Sequence, residues 1–283
     1  MEKYIDLHTH SNKSDGSMTP TELVFHAKEA GLSAIALTDH DNIDGVSEAL
    51  QAGEEIGIEV VPGIELSAKS QTETHILGYY VDIKNEEFNQ KLEGIKKQRI
   101  QRNYDTERLL KENGFDVSID EAAAFAGGVL LGRAHFAKVM VQKGYAESVK
   151  DAFDRYLANG RPCYSKLQNH TAAECVKIIN DAGGVAFVAH LHLMRKDDEE
   201  LWEFLKELKN AGLCGIEGYY TDYTEDMQEK YQAMAKELGL IISGGTDFHA
   251  EMKPHISIGT GLGNLKIPYE VLEKIKEWRN INR

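Results

Sequence analysis

The sequence of 283 residues has few of the features that mark membrane, secreted or disulfide-rich proteins. No apolar run approaches the roughly 20 residues of a transmembrane helix, so no membrane association is expected. The first residues, MEKYIDLHTH, lack the basic flank and apolar stretch of a signal peptide, which predicts a cytoplasmic protein. Cys163, Cys175 and Cys214 are too few and too scattered for a disulfide framework or a cysteine-rich zinc site.

Basic residues are also in deficit. The chain has 32 Lys and Arg against 46 Asp and Glu, a formal charge of −14. Because phosphate neutralisation supplies most of the affinity for a nucleic-acid backbone, this balance argues against a long nucleic-acid track. It is compatible with a small phosphorylated substrate, or with contacts to the end of a nucleic acid. P-loop and nucleophile-elbow motifs are absent, which excludes the enzyme classes built on them.

The chain does contain a repeated order of amphipathic helix, glycine and short apolar strand. In TPTELVFHAKEAG, Thr19 is the predicted N-cap and Glu22 completes a capping box. TAAECVKIINDAGG repeats the plan with Thr171 and Glu174. Helices that alternate with near-continuous apolar strands predict a parallel sheet covered by helices.

The number of strands and the positions of the polar residues favour a barrel. Seven strands are predicted, at residues 3–9, 34–38, 58–66, 74–81, 185–190, 214–218 and 240–246. Polar residues stand at or just beyond the carboxyl ends of these strands: His8, His10, His40, Glu65, His190, Glu217 and Asp247. In (β/α) barrels this is the catalytic face. Residues 86–165 break the alternation and predict an inserted helical subdomain, so that 1–85 and 166–283 form the barrel.

Two pairs of potential metal ligands lie at opposite ends of the chain. His8 and His10 are two residues apart on the first predicted strand, and Asp247 and His249 repeat this spacing at the last. Residues with this spacing share one face of a strand. Because the first and last strands of a closed barrel are neighbours, we expect the two pairs to meet. Imidazole and carboxylate together suit Zn²⁺, Mn²⁺ or Fe²⁺.

Six motifs, spread over nearly the whole chain, resemble a known family. DLHTHSNKSDG, LTDHDN, PGIELS, THILGY, VAH and SGGTDFH look like the successive motifs of the PHP (polymerase and histidinol phosphatase) family, in the same order. The match is closest to the stand-alone branch that hydrolyses nucleotide phosphates. The resemblance implies an α/β fold, a distorted (β/α)7 barrel, with two to three divalent ions (Mn²⁺, Fe²⁺ or Zn²⁺).

The same resemblance implies a set of metal ligands. One ion would be held by His8, His10, Glu65 and Asp247, a second by Glu65, His75 and His190, and a third by Asp15, His40 and His249. Asp6 and Asp39 are candidates for orienting a ligand imidazole. Gly16 is expected to form the turn that returns Asp15 over the barrel mouth.

Substrate-binding residues are predicted in the insertion and after His190. LLGRAHFAKVM resembles a motif that places an arginine near the substrate phosphate, so Arg133 is a candidate clamp, with a solvated surface arginine as the alternative. His135 would contact substrate or cap a helix. The branch usually has Pro-Gly after the motif AH, whereas this chain reads AHLHLMRK. There His192, which would share a face with His190, could act as an acid or an extra ligand, and Arg195 could replace the family's phosphate-binding arginine.

The expected activity is hydrolysis of a nucleoside 5′-monophosphate or 3′,5′-bisphosphate, or trimming of a short oligonucleotide end, by metal-activated water. Arg133 and Arg195 would neutralise the developing charge, and His192 or water would protonate the leaving group. A histidinol-phosphate phosphatase is the alternative within the family. An amidohydrolase is disfavoured because Glu65 fills the place of a bridging lysine. If the chain were a non-catalytic metal-binding module, some of the expected ligands would be missing. All of the expected ligand positions are filled.

Overall fold

The computed structural model describes residues 2–70, 72–126, 131–165 and 170–282. The chain forms two compact units, Met1–Gln90 with His170–Arg283, and Lys91–Asn169. The sequence predicts the insertion at 86–165, and the helix that opens it begins at Glu86. Within the described ranges, none of the helices combines the length and the apolar composition of a transmembrane span.

The first unit contains a seven-stranded sheet whose strands follow one another in chain order. The strands are β1 (Ile5–Thr9), β2 (Ala34–Leu37), β3 (Glu59–Ser67), β4 (His75–Tyr79), β5 (Val185–Val188), β6 (Gly215–Tyr220) and β7 (Ile241–Gly245). Backbone hydrogen bonds also join the two outer strands, because the Asp247 N–H donates to the His8 carbonyl and the His10 N–H to the Phe248 carbonyl, both at 2.9 Å. The sheet is therefore a nearly closed barrel, and the predicted seven strands and fold class are confirmed.

Helices follow most of the strands. In chain order they are α1 (Pro20–Glu29), α2 (Val46–Ile56), α3 (Glu86–Glu112), α4 (Ile119–Ala126), α5 (Arg133–Gln142), α6 (Val149–Ala152), α7 (Ala172–Asp181), α8 (Asp198–Asn210), α9 (Glu225–Leu238) and α10 (Glu270–Ile281). Both predicted capping boxes are present, at Thr19 with Glu22 and at Thr171 with Glu174. Each satisfies two amide groups at the start of a helix and so fixes where that helix begins.

Strand β4 departs from the parallel sheet that the sequence predicts. It pairs antiparallel with both β3 and β5, whereas the other neighbouring pairs are parallel. Only residues 68–74 connect β3 to β4. A connection this short makes a hairpin, because a parallel crossover needs a dozen or more residues. The start of β4 therefore lies at the edge where β3 and β5 end, and this reversal brings His75 opposite Ser67, beside the end of β3.

Each unit has its own apolar core. In the first unit, buried side chains of the strands and of α10 pack together, among them Leu7, Val61, Tyr79, Phe187 and Leu272. In the second unit, Leu110, Phe136, Met140 and Leu157 belong to a separate buried cluster. All three cysteines are buried free thiols, and burial raises the pKa of the Cys163 thiol to about 11. None of them is a reactive thiolate at neutral pH.

The closure between β1 and β7 depends on a glycine. A Cβ atom on Gly245 would lie 2.3 Å from the His8 Cβ and 2.4 Å from the His8 backbone nitrogen. No side chain fits at that distance, so only glycine lets the last strand approach the first this closely. The approach puts Asp247, two residues further on, beside His8.

Candidate functional site

Nine His, Asp and Glu side chains lie together at the end of the barrel where β3 and β5 finish. They are His8, His10, Asp15, His40, Glu65, His75, His190, Asp247 and His249. All of them belong to the first unit. With Glu73 they form four overlapping groups, in each of which the candidate ligand atoms lie within 4.8 Å of one another. The structure thus brings together every residue that the sequence predicts as a metal ligand.

The Glu65 carboxylate is the centre of this cluster. Its side chain is fully buried, and its Oε2 lies 3.1 Å from His40 Nδ1, 3.2 Å from His8 Nε2 and 3.3 Å from His10 Nε2. A single carboxylate oxygen thus faces three ring nitrogens that come from two different strand ends. An atom so placed can bind a cation that these imidazoles share.

The second Glu65 oxygen faces a different pair of imidazoles. Oε1 lies 2.9 Å from His75 Nδ1 and 3.0 Å from His190 Nε2, and these two ring nitrogens are 3.1 Å apart. Since the two oxygens of one carboxylate can bind two cations, Glu65 has the geometry of a bridging ligand. The hairpin turn between β3 and β4 makes this possible, because it brings His75 next to Glu65.

Asp247 completes the group around His8 and His10. Its Oδ1 lies 3.1 Å from His10 Nε2 and 3.5 Å from His8 Nε2. Its Oδ2 accepts hydrogen bonds from the Tyr220 hydroxyl at 3.0 Å and from Lys253 Nζ at 2.6 Å. Its backbone φ is +57°, a region that non-glycine residues rarely adopt. The sequence analysis assigned no role to Tyr220 or Lys253, because neither lies in a recognisable pattern.

Asp15 forms the third group, with His249, His10 and His40. Its Oδ1 lies 3.2 Å from His249 Nε2, and its two oxygens lie 3.7 Å from His10 Nδ1 and from His40 Nε2. The other nitrogen of His249 is 2.7 Å from the Asp247 carbonyl oxygen, to which it donates a hydrogen bond as Nδ1–H. This bond leaves Nε2 without a proton in the neutral ring, as metal ligation requires.

Several polar atoms of the cluster are buried without a hydrogen bond. They include His8 Nε2, both ring nitrogens of His10, His40 Nδ1 and Glu65 Oε2. They approach one another closely but lack the angles of hydrogen bonds. Each buried and unsatisfied polar group costs about 1–3 kcal/mol, and a coordinated cation would satisfy several of them together. The donor set of imidazole nitrogens and carboxylate oxygens therefore fits divalent Zn²⁺, Mn²⁺ or Fe²⁺.

The carboxylates of the cluster are ionised. Burial alone would raise the pKa of Glu65 and of Asp247, because it disfavours the charged form. The imidazoles of His40 and His8 nevertheless hold the pKa of Glu65 well below its usual range. The Lys253 ammonium does the same for the pKa of Asp247. The site thus offers anionic ligands throughout the neutral pH range.

The imidazoles differ in their affinity for protons. For His10, burial lowers the pKa, but the contacts with Asp247 and Glu65 outweigh it and raise the pKa to about 9. For His40, burial dominates and lowers the pKa to about 3. In the protein without metal, His10 is therefore protonated at neutral pH and His40 is neutral. A cation that binds to His10 must displace a proton.

Glu217 is a functional candidate to which the sequence analysis gave no role. Its carboxylate is fully buried and accepts a hydrogen bond from His8 Nδ1 at 2.9 Å and one from the His190 backbone N–H at 2.7 Å. The first bond places the His8 proton on Nδ1 and leaves Nε2 facing Glu65. A single glutamate in GIEGYY carries no motif, so its position near the end of the strand predicted at 214–218 was the only signal in the sequence.

Asp6 does not orient an imidazole, contrary to one expectation. Its buried carboxylate accepts hydrogen bonds from the Thr246 N–H at 2.9 Å, the Gly259 N–H at 2.8 Å and the His8 N–H at 3.3 Å. It thus joins β1 to the residues after β7 through their backbones. The Asp6 carboxylate binds backbone amides of β1 and of the residues after β7. The strand face that Asp6 shares with His8 and His10 therefore did not predict these contacts.

Asp39 stabilises a loop instead of an imidazole. It accepts hydrogen bonds from the Ser11 N–H at 2.8 Å and from the Ser11 and Ser14 hydroxyls, both at 2.6 Å. The loop returns at Gly16, where a Cβ atom would lie 2.4 Å from the His10 carbonyl oxygen. The glycine expected at this turn is therefore required by a close approach of backbone, and the loop it permits carries Asp15 to the cluster.

The residues after His190 leave the strand at once. β5 ends at Val188, His190 has a φ of +25°, and Leu191–Met194 form a 3₁₀ turn. The premise that His192 shares a strand face with His190 is therefore wrong. The His192 ring packs instead against Tyr220 and Tyr223, with ring centroids 5.5 Å from each.

His192 and Arg195 differ in their surroundings. Burial lowers the pKa of His192, so its ring is neutral at neutral pH. Arg195 is exposed and adopts a φ of +52° at the end of the 3₁₀ turn. Among the residues that the structure describes, its guanidinium has no hydrogen-bond or ion-pair partner. Arg195 is thus available to an anionic ligand, whereas His192 is held by aromatic packing.

Arg133 and His135 both lie at the start of α5 in the second unit. The Arg133 guanidinium donates to the Leu157 carbonyl at 3.2 Å and lies over the Tyr164 ring, 5.1 Å from its centroid. His135 is buried, and its Nδ1 accepts a hydrogen bond from the Gly132 N–H at 3.0 Å. His135 therefore has the capping role that was one of its two alternatives.

Comparison with known proteins identifies relatives of the whole chain. A family model described as the PHP domain matches residues 6–211. A 5′-3′ exoribonuclease of Haemophilus influenzae is 34% identical over 250 residues, which cover 88% of this chain and 91% of the relative. A 3′,5′-nucleoside bisphosphate phosphatase of Chromobacterium violaceum is 32% identical over 248 residues, which cover 87% of each protein.

A solved structure shares the fold as well. The structure of an amidohydrolase from Chromobacterium violaceum, with bound sulfate and no metal, is 29% identical in sequence and superimposes with a TM-score of 0.83. The superposition covers 98% of this chain and 96% of the other. The similarity in sequence and in fold therefore extends over nearly the full length described.

Proposed function

This chain belongs to the PHP family and is a metal-dependent phosphoester hydrolase, and within that family we propose that it releases phosphate from nucleotides. The proposed substrates are nucleoside 5′-monophosphates or 3′,5′-bisphosphates, and the ends of short oligonucleotides. The observation that carries the proposal is the buried Glu65 carboxylate, whose two oxygens face five imidazoles. This arrangement has the geometry of a bridging ligand between divalent ions.

Three groups of side chains would hold the proposed ions. His8, His10, Glu65 and Asp247 form the first group, Glu65 with His75 and His190 the second, and Asp15 with His10, His40 and His249 the third. When bound, closely spaced divalent ions lower the pKa of water toward about 7 and neutralise charge on a phosphoryl group. Glu217 supports this chemistry without binding an ion itself, because its hydrogen bond to His8 Nδ1 fixes the tautomer of that ligand.

Residues outside the cluster are proposed to recognise the phosphate. Arg195 is exposed at the end of its turn, and its fork of N–H donors matches phosphate oxygens. Arg133 is proposed for the same task on the strength of its motif, while its aromatic neighbours restrict its rotamers. His192 is proposed to donate a hydrogen bond from its neutral ring. Because that ring stores no extra proton at neutral pH, the leaving group would take its proton from water.

The relatives support as the target a phosphoester at the end of a nucleotide chain or on a single nucleotide. An exoribonuclease and a nucleoside bisphosphate phosphatase both act at the end of a nucleotide chain or on a single nucleotide. Sulfate, which occupies a related structure, is tetrahedral and anionic like phosphate. The net charge of −14 favours short substrates over long ones. Glu65 at the bridging position disfavours amide hydrolysis, which in related barrels uses a bridging lysine.

A phosphate-release screen tests the proposal. The protein, loaded with Mn²⁺ and analysed for metal content, would be assayed with nucleoside monophosphates, 3′,5′-bisphosphates, short 5′-phosphorylated RNA and histidinol phosphate. We expect release from nucleotides, and a loss of at least about 100-fold in Glu65→Gln, since even outer-shell partners of a metal are worth 10–100-fold. Glu54→Gln, on the exposed face of α2, is the matched control.

Three results would overturn the proposal. A clear preference for histidinol phosphate would reassign the enzyme to amino-alcohol phosphates, the alternative within the family. Full activity with fewer than two equivalents of metal would exclude a bridging role for Glu65. Unchanged activity in Glu65→Gln would lead to the same conclusion.

A further inference from the structure

Glu73 lies beside the predicted ligands but belongs to none of the sets that the sequence predicts. It is the third member of a group with His75 and His190, in which the candidate ligand atoms lie within 4.8 Å of one another. Its side chain is exposed, unlike that of Glu65. The pair of imidazoles therefore has two carboxylates near it, the buried Glu65 and the exposed Glu73.

The backbone holds Glu73 in place for this contact. The Ala68 N–H donates to the Thr74 carbonyl at 3.0 Å, which closes the hairpin between β3 and β4. Glu73 lies two residues before His75, the first residue of β4, and its candidate ligand atom lies within 4.8 Å of that of His75. This is the spacing that places His8 and His10 on one ion. The Glu73 side chain can approach or leave the imidazoles by rotation alone.

Without Glu73, the group of His75 and His190 has less negative charge than the other two ligand groups. The first group contains two carboxylates, Glu65 and Asp247, and the third contains Asp15. Of the predicted ligands in the described part of the chain, Oε1 of Glu65 is the carboxylate oxygen within 3.0 Å of the pair His75 and His190, and the charge of Glu65 is also shared with the imidazoles around Oε2. A divalent ion at this pair would therefore lack an anionic ligand of its own.

We propose that Glu73 is an additional metal ligand, which supplies the second ion, at His75 and His190, with a carboxylate of its own. Two ligands on opposite sides of an ion are about 4.3 Å apart, since each metal–ligand distance is about 2.0–2.2 Å. The candidate ligand atoms of Glu73, His75 and His190 all lie within 4.8 Å of one another, so one ion can reach them together. Because this ligand faces the solvent, an incoming phosphate oxygen can replace it without disturbing the buried ones. The inference rests on the proposed metal-binding role of the cluster.

Metal binding, rather than activity, tests this inference. Full-length protein would be stripped with a chelator and titrated with Mn²⁺ in competition with a chromophoric chelator, for the wild type, Glu73→Gln and Glu54→Gln. We expect Glu73→Gln to weaken one equivalent by about tenfold or more and to leave the others unchanged. Glu54→Gln makes the same charge change on α2, and we expect it to behave as the wild type. Because Glu73 is exposed, the metal-free variant should unfold at the wild-type temperature.

A double-mutant cycle assigns the effect to the right ion. His75→Ala should weaken the same equivalent, and Glu73→Gln should then have no further effect in that background. Wild-type affinities in Glu73→Gln would overturn the inference and leave the proposed function intact. An undiminished effect in the His75→Ala background would also overturn it, because Glu73 would then act elsewhere. Absence of Mn²⁺ binding by the wild type would instead refute the proposed metal centre and this inference together.

Discussion

Replacing Glu217 with glutamine should weaken metal binding without changing any predicted ligand. The carboxylate accepts hydrogen bonds from His8 Nδ1 at 2.9 Å and from the His190 N–H at 2.7 Å. A glutamine of the same size has one acceptor oxygen and one NH₂ group, so it can keep only one of these bonds. If the oxygen stays with His190, the NH₂ group faces His8 Nδ1, and the ring proton must move to Nε2. That nitrogen faces Glu65 and would no longer be a ligand.

The size of the effect follows from this tautomer shift. Loss of an outer-shell carboxylate partner of a ligand histidine typically costs 10–100-fold in metal affinity, which is about 1.4–2.7 kcal/mol. Glutamine preserves the volume of the side chain, so no cavity contributes to the loss. We therefore expect the Kd for Mn²⁺ at the ion that His8 holds to rise by 10–100-fold in Glu217→Gln.

Competition titrations at several pH values provide the assay. Burial lowers the pKa of His8, but Glu65, Glu217 and Asp247 outweigh it and raise the pKa well above its usual value, so metal binding displaces one proton from this ring. A rise in pH removes that proton but not the one that the variant keeps on Nε2, so the loss in Glu217→Gln should persist from pH 7 to pH 9. Glu59→Gln is the matched control, because Glu59 also accepts hydrogen bonds, from Tyr269 and Lys276, but at the opposite end of β3. A Kd within twofold of wild type, or full recovery at high pH, would refute the reasoning.

Three further predictions follow from single contacts. Because the pKa of His10 is raised to about 9, Mn²⁺ binding near pH 7.5 should release protons and should strengthen as the pH rises toward 9. Calorimetric heats of binding that do not vary with the ionisation enthalpy of the buffer would contradict this prediction. Asp39→Asn should destabilise the protein by about 1–3 kcal/mol in denaturant titrations and weaken the ion near Asp15, because the loop loses an acceptor; an unchanged midpoint would count against this role. Gly245→Ala should lower the free energy of unfolding by about 1–3 kcal/mol or more and reduce Mn²⁺ affinity, because the new methyl group overlaps His8. Wild-type stability in this variant would show that β1 and β7 can move apart without cost.

The parts of the fold that depend on local sequence were predictable. The seven strands and both capping boxes follow from apolar patterning and from side chains three residues apart, which act within one element. The direction of β4 was not predicted, although the short connection between β3 and β4, residues 68–74, indicated an antiparallel pair. A connection too short for a crossover helix requires an antiparallel neighbour, whatever the composition of the strand.

The residues of the site were likewise predictable only where a local pattern or the closure of the barrel indicated them. The sequence placed His8 and His10 together because strand periodicity is local, and it placed Asp247 near them because a barrel joins its ends. It gave no role to Glu217 or Lys253, since each acts through a single contact across the fold and belongs to no pattern. It misplaced His192 because β5 ends at Val188 and the positive φ of His190 turns the chain, and no residue type in AHLH indicates that turn.

The hairpin of β3 and β4 and the closure of β1 on β7 differ widely in sequence separation. Glu65 and His75 are 10 residues apart, whereas Asp6 and Thr246, which join the outer strands, are 240 apart. Short loops close fast and at a small entropic cost, and long ones close late. The pair of Glu65 and His75 can therefore form early in folding, whereas the group of His8, His10, Glu65 and Asp247 exists only once the chain ends have met. Tight metal binding would then report the last step of folding, and a ribosome-bound chain without its final strand would lack the first ion's complete set of ligands.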